Sequence, residues 1–248
     1  MAGFYFCQIH ASMLTDKKCA LKELKVSQLR KAVARNLTEG KKIPWSSCKL
    51  SVDATTINFY IKHRGLKIDA IFLSAMAELI YCKMPQMNVR WADGEKDPAT
   101  QKETGPKIFL FNELNFGLAM ESKNGLTVVT IRDVEHKNVW RLNAKIKELA
   151  SIATEGKLRP QHFEPKPNIV FNNIGIYPNI TDGDPLLVPG NTFMISAFRI
   201  MDTHVIYKGY TFIRPMMNVK ITFDHRPLDG KDPAMFLNLL KEYIENFK

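Results

Sequence analysis

Phe223-Asp224-His225-Arg226-Pro227-Leu228-Asp229-Gly230 is the stretch on which the reading of this chain turns. Its core is a histidine, three residues, then Asp-Gly. It follows residues 217–223, whose apolar/polar alternation predicts a strand. It precedes residues 233–246, where Phe236, Leu237, Leu240 and Ile244 recur at helical spacing. A loop between a strand and a helix is a common position for reactive groups. A match of this kind arises by chance in about one chain in fifty of this length. Taken alone, the motif therefore leaves two readings open: a capped turn with a surface histidine, or a site.

Working outward, helices and strands alternate irregularly. Ser27 can cap a helix carrying Leu29, Ala32, Val33 and Leu37, which Gly40 can end. Residues 48–54 alternate as a half-buried strand, and helices are expected over 55–63 and 69–82. Met87, Val89 and Trp91 alternate into the turn Asp93-Gly94, and 95–107 reads as a loop. Short strands are expected at 108–111, 116–120, 126–131 and 169–171. An amphipathic helix carries Val139, Leu142, Ile146 and Leu149 and stops at Gly156. A long Gly/Pro/Asp-rich loop runs to Gly190, and strands are expected over 193–198, 205–213 and 217–223. Both hairpin-like and crossover-length connections occur. The expectation is one α/β domain, a two-layer arrangement of a mixed β-sheet with helices packed on it.

Composition narrows the function classes. The chain has 248 residues, 45% hydrophobic and 24% charged, with a net charge of +10. That balance favours anionic partners. The basic residues are scattered, however, with no Lys/Arg block interleaved with aromatics, which argues against nucleic acid. No apolar run is long enough to cross a bilayer. The first dozen residues have neither a secretory signal's pattern nor the arginines of a transit peptide. A cytoplasmic protein, or a mitochondrial matrix protein already trimmed, is expected, with no membrane partner. Cys7, Cys19, Cys48 and Cys82 form no close pair with metal-ligand spacing, and no metal is expected.

The fuller string Asp-His-Arg-x-x-Asp-Gly resembles the dihydrolipoamide acyltransferases, the core subunits of 2-oxo acid dehydrogenase complexes, within the chloramphenicol acetyltransferase-like superfamily. Other segments match in the same order. They are Leu29-Arg30-Lys31-Ala32-Val33-Ala34, Pro85-x-x-Asn88-x-Trp91, Gly125-Leu126, Gly156-Lys157-Leu158-Arg159-Pro160 and Asn173-Ile174-Gly175. The likeness covers residues 25–248, which leaves 1–24 as an N-terminal extension.

The resemblance implies acyl transfer between coenzyme A and a thiol such as dihydrolipoamide, with His225 as general base. It implies that Asp229 shapes the loop through a salt bridge, with Arg30 the first choice of partner and Arg35 the second. Gly230 is expected to supply a conformation or close approach that a side chain would block. Where the family commonly has Ser-Asn-Leu-Gly, with the serine donating to the oxyanion, this chain has Asn172-Asn173-Ile174-Gly175. An Asn amide can also donate, so Asn172 is the expected donor and Asn173 the next. Lys157 and Arg159 are weak choices for binding coenzyme A's phosphates, the alternative being a solvated helix end.

The family further implies a homotrimer with the site between subunits. No lipoyl domain is read here, so the lipoyl group is expected on another protein, in trans. The last helix is followed by no apolar tail, so trimers are expected to stay discrete. Two alternatives remain: a non-catalytic scaffold subunit, of which loss of the histidine would be the mark, and transfer to a non-thiol acceptor.

Overall fold

The computed structural model describes residues 23–94, 104–123 and 125–248. The expected extension, except Glu23 and Leu24, and residues 95–103 of the expected loop lie outside the described residues.

Helix α1 (Gln28–Gly40) starts at Ser27, whose hydroxyl accepts from the N–H of Arg30 at 3.1 Å. Strand β1 (Trp45–Asp53) leads into α2 (Thr55–Arg64) and α3 (Ile68–Cys82). Gly65 ends α2 in the left-handed region. Strands β2 (Val89–Ala92) and β3 (Lys107–Leu110) form a separate antiparallel pair. The hairpin β4 (Phe116–Ser122) and β5 (Gly125–Ile131) is followed by α4 (Val139–Thr154), capped by Asn138, and then by β6 (Ile169–Asn173). The rest is β7 (Phe193–Ala197), β8 (Met201–Tyr207), β9 (Tyr210–Asp224) and α5 (Lys231–Glu245).

The main sheet has seven strands in the order β1-β9-β7-β6-β4-β5, with β8 paired to the outer half of β9. β4, β6 and β7 run parallel, and the other pairings are antiparallel. The expected mixed α/β architecture is therefore present. Alternation along each strand sends one residue set into the helical layer. Ile169, Phe171, Phe193, Ile195, Val219, Ile221 and Phe223 join α3, α4 and α5 in one continuous core. Phe171 stacks on Phe72 of α3 at 4.9 Å, and Phe193 meets Phe236 of α5 at 5.5 Å. The opposite face carries Asn172, Ser196, Lys220, Thr222 and Asp224. The loop between β6 and β7 crosses that face, where Leu187 packs against Val170, Met194 and Ile43.

One expected strand is corrected. Residues 205–213 are not a single strand but the bend of a hairpin. Lys208 (φ 49°) and Gly209 (φ 81°) both take positive φ, as a two-residue type I′ turn requires, and Tyr207 pairs Tyr210 across it. β9 then runs unbroken through Pro215, so the expected strand 217–223 is only its inner half.

Candidate active site

The motif starts where β9 leaves the sheet. The N–H of Asp224 donates to the Thr192 carbonyl at 2.8 Å, and that of His225 to the Pro44 carbonyl at 2.9 Å. Asp224 is only 2% exposed. Its carboxylate takes the guanidinium of Arg226 in a fork, with Nε at 3.0 Å and Nη2 at 2.8 Å. A buried carboxylate needs such a partner. The other arm of Arg226 reaches Asp93 at 3.1 Å, and its guanidinium carbon lies 5.3 Å over Trp91. The Trp91 indole N–H donates to the same Asp93 oxygen at 2.8 Å. Two of the segments that carried the resemblance thus meet at Arg226, which orients the turn.

The imidazole of His225 is exposed, with its ring 5.4 Å from that of Phe223. Among the described residues its nitrogens have no hydrogen-bond partner. Its backbone is held by the Pro44 carbonyl while its ring stays open to solvent.

Two expectations around the motif find no support within the single chain. Asp229 and Arg30 are both exposed, and among the described residues no ion pair joins Asp229 to Arg30 or to Arg35. The buried acid of the motif is Asp224. Gly230 has ordinary helical angles (φ −57°, ψ −21°), and an added Cβ would meet nothing within 4 Å. Its expected steric role has no counterpart in a single chain. Gly175 does have that role, since a Cβ there would come 2.6 Å from the Phe198 carbonyl oxygen.

Asn172 and Asn173 end β6 and face opposite sides. The Asn173 amide is engaged: its oxygen accepts from the Gly175 N–H at 3.1 Å, and it also bonds Asp69 at the start of α3. Burial pushes the Asp69 carboxyl up from its ordinary value; its own backbone N–H, Lys67 and the Asn173 bond act against that rise. Asn172 is half-buried on the other face, and among the described residues its amide has no partner.

Lys157 and Arg159 lie beside the β4–β5 hairpin. Lys157 is paired with Glu155 at 2.7 Å, and its pKa rises for that reason. The backbone N–H of Arg159 donates to His162 at 2.8 Å. Neither residue lines the cavity at the ends of β6 and β7 or the one between α3 and α5.

A cavity of about 480 Å³ opens at the carboxyl ends of β6 and β7. Asn173, Gly175, Phe198 and Ile68 line it, with Lys62, Arg199 and Asp202 among its polar groups. Sequence reasoning missed Lys62 and Arg199, which belong to no motif. A larger cavity of about 650 Å³ lies between α3 and α5 on the helical side and includes no residue of the motif.

A family model described as the 2-oxoacid dehydrogenases acyltransferase (catalytic domain) matches residues 19–248. The chain belongs to this family. It is 26% identical over 227 residues, 88% of its length, to the lipoamide acyltransferase component of a branched-chain alpha-keto acid dehydrogenase complex from Pseudomonas aeruginosa. It spans about half the length of the curated relatives it matches. A solved structure of a probable dihydrolipoamide acetyltransferase from Listeria monocytogenes superimposes with a TM-score of 0.78 at 25% identity, over 92% of this chain and 95% of that one. The cubic core of a pyruvate dehydrogenase multienzyme complex gives the same TM-score at 21% identity, over 92% of each chain, and so shares the fold.

Proposed function

We propose that this member of the family transfers an acyl group between coenzyme A and a thiol such as dihydrolipoamide, with His225 as general base. The observation that carries the reading is the exposed, unpartnered imidazole on a turn fixed by the Asp224–Arg226 fork. In the step, an imidazole nitrogen takes the proton from the attacking thiol as its sulfur bonds to the thioester carbonyl carbon. The tetrahedral oxyanion then collapses, the C–S bond to the departing thiol breaks, and the imidazolium returns the proton to that sulfur. A free thiol titrates near 8.5 and a free imidazole near 6.5, so complete transfer before attack costs about 2.7 kcal/mol. A neutral histidine therefore suffices.

Asn172 is the proposed oxyanion donor. Its amide is free, whereas that of Asn173 is engaged. Strand register separates Asn172 from His225. From Asn172 the row runs through Ser196 to Lys220, two strands away, and His225 lies five residues further along. At about 4.8 Å per strand spacing and 3.3 Å per residue, the separation is roughly 19 Å. No single carbonyl can touch both residues of one chain. The reading therefore requires that a second copy supply one of them, as in a homotrimer with its sites between subunits. For coenzyme A, Lys62 and Arg199 at the cavity mouth are better phosphate partners than the paired Lys157. The lipoyl group is proposed to come from a lipoyl-bearing protein in trans, and the compartment to be the cytoplasm or the mitochondrial matrix. Among the described residues, no helix is long and apolar enough to cross a membrane.

The test is thiol release from acetyl-, propionyl- and branched acyl-coenzyme A, each offered dihydrolipoamide, an amine and an alcohol. Turnover with dihydrolipoamide is expected, and His225→Ala should lower it about 100- to 10,000-fold with the circular dichroism spectrum unchanged. Full activity in His225→Ala would remove the base assigned here, and a sedimentation mass of one chain would remove the shared site.

A further inference from the structure

We propose that Ser196 is a positioning residue for acyl transfer: its hydroxyl orients the amide of Asn172, so that the Asn172 N–H, and not its carbonyl, faces the oxyanion. This rests on the reading of Asn172 given above. Ser196 is the fourth of the five residues of β7 and is 0% exposed, yet among the described residues its Oγ has no hydrogen-bond partner. A buried hydroxyl without a partner is costly, and such groups stand out where a site is incomplete.

The sheet register limits what this hydroxyl can bond. Ser196 sits directly between Asn172 on β6 and Lys220 on β9, and all three side chains share one face. Lys220 has no proton to spare. Its ammonium donates to Asp184 at 2.6 Å, to the Gly183 carbonyl at 2.9 Å and to Asp182 at 3.1 Å. Three donors are spent on three acceptors, and an ammonium accepts nothing. The backbone groups of Ser196 belong to the ladders on either side. Among its lateral neighbours, only the Asn172 amide is left to the hydroxyl.

Neighbouring strands lie about 4.8 Å apart; among the described residues Oγ bonds nothing, and on this proposal it turns along the row to donate to the Asn172 side chain when the site is complete. A hydroxyl that donates to the amide oxygen fixes the flip state of the amide and turns its NH₂ toward the substrate. Without it, the two orientations of Asn172 differ little, and in one of them a carbonyl oxygen faces the developing negative charge.

Thr222 provides an internal control. It is on the same face, equally buried and equally without a partner, but its lateral neighbours are Met194 and Ser47.

The experiment is steady-state kinetics with acetyl-coenzyme A and dihydrolipoamide on the unaltered protein and on Ser196→Ala, Ser196→Thr, Thr222→Val, Asn172→Ala and the double variant Ser196→Ala/Asn172→Ala. Ser196→Ala should lower kcat roughly tenfold, the size of one ordinary hydrogen bond. KM should hold, and the thermal midpoint should fall by no more than the loss of one hydrogen bond allows. Ser196→Thr, which keeps the hydroxyl, should restore most of kcat, and Thr222→Val should leave it unchanged. In the Asn172→Ala background, Ser196→Ala should have no further effect, as expected of a residue that acts through another.

The proposal is overturned if Ser196→Ala keeps full kcat, or if its loss adds independently to that of Asn172→Ala. The first outcome beside a slow Asn172→Ala leaves the wider reading of Asn172 standing. An inert Asn172→Ala removes both. If Ser196→Ala unfolds, Ser196→Thr and Ser196→Gly decide in its place: both slow overturns the proposal, and only the glycine variant slow supports it.

Discussion

The two faces of the main sheet are built on different physics. The helical face is a continuous apolar core in which Phe171, Phe193 and Phe223 meet α3 and α5, and its cohesion is non-directional. The other face combines a small apolar cluster around Leu187 with a row of buried polar and charged groups. Lys220, 8% exposed, is bonded to Asp182, Gly183 and Asp184, and Asp224 is bonded to Arg226. Cohesion there depends on single atoms and on charge state. The comparison teaches that the helical face sustains the fold, while the polar face holds a strap, a turn and the groups assigned to chemistry.

The largest expected effect is on the apolar side. Phe171→Ala removes a fully buried ring stacked on Phe72 and should cost about 3–5 kcal/mol by urea denaturation. The loss should be the same at pH 5 and at pH 8. A pH-dependent loss would break the distinction between the faces.

Next comes Asp224→Asn, which keeps the shape and removes the charge opposite Arg226. Losing charge-assisted hydrogen bonds should cost about 1.5–3 kcal/mol. The catalytic rate should fall with stability, because the turn that carries His225 loosens. Retention of both would show that the fork is not what fixes the turn.

A smaller effect separates the faces by pH. The ion pair with Lys49 leads the causes that bring Asp182 down from 3.8 to about 2. A folded-state pKa below the unfolded one means that the contribution is full above about pH 4 and is lost as pH falls toward 2. The urea midpoint should drop across that window, and Asp182→Asn should flatten the drop. Because Asp182 is partly exposed, the effect should also shrink in high salt.

Smallest of all, Asp229→Ala should change stability by no more than about 0.5 kcal/mol, as for an exposed residue without a partner. A loss of several kcal/mol in the oligomer, absent in the dissociated chain, would mean that Asp229 is buried by a neighbouring copy.

Much of this architecture was legible in the sequence. Ser27 caps α1, Gly156 follows α4, and the alternation in 217–223 marked the helix-facing residues of β9. His225 stood out as the proposed base because its spacing to Asp-Gly resembles a family pattern. What was not legible depended on contacts between segments distant in the chain. Lys220 and Asp224 occupy the polar phase of an alternating strand, which reads as solvent-facing. Lys220 is bonded to residues 182–184 of a loop nearly forty residues upstream, and the Asp224 carboxylate to the Arg226 guanidinium. The hairpin at Lys208-Gly209 was missed because apolar residues continue on both sides of the turn, although Lys-Gly between Tyr207 and Tyr210 was a usable signal. Asp93 was legible as a turn residue but not as the anchor of Arg226, since that pairing spans most of the chain.

The order of the strands in the sheet also governs the order in which the chain can fold. β9 is the last of the described strands in chain order, yet it lies between β1 and β7 and is hydrogen-bonded to both. Trp45 pairs Asp224 and Asp53 pairs Met216, so β1, the first of the described strands, has its partner only once β9 has been made. β4–β5 and β8–β9 can close locally as they emerge, whereas the sheet as a whole closes only when the end of β9 slots into place. Such long-range closure slows folding and leaves sheet edges open in the meantime. The residue that follows the closing strand is His225, so the turn that bears the proposed base is set only when the sheet is complete.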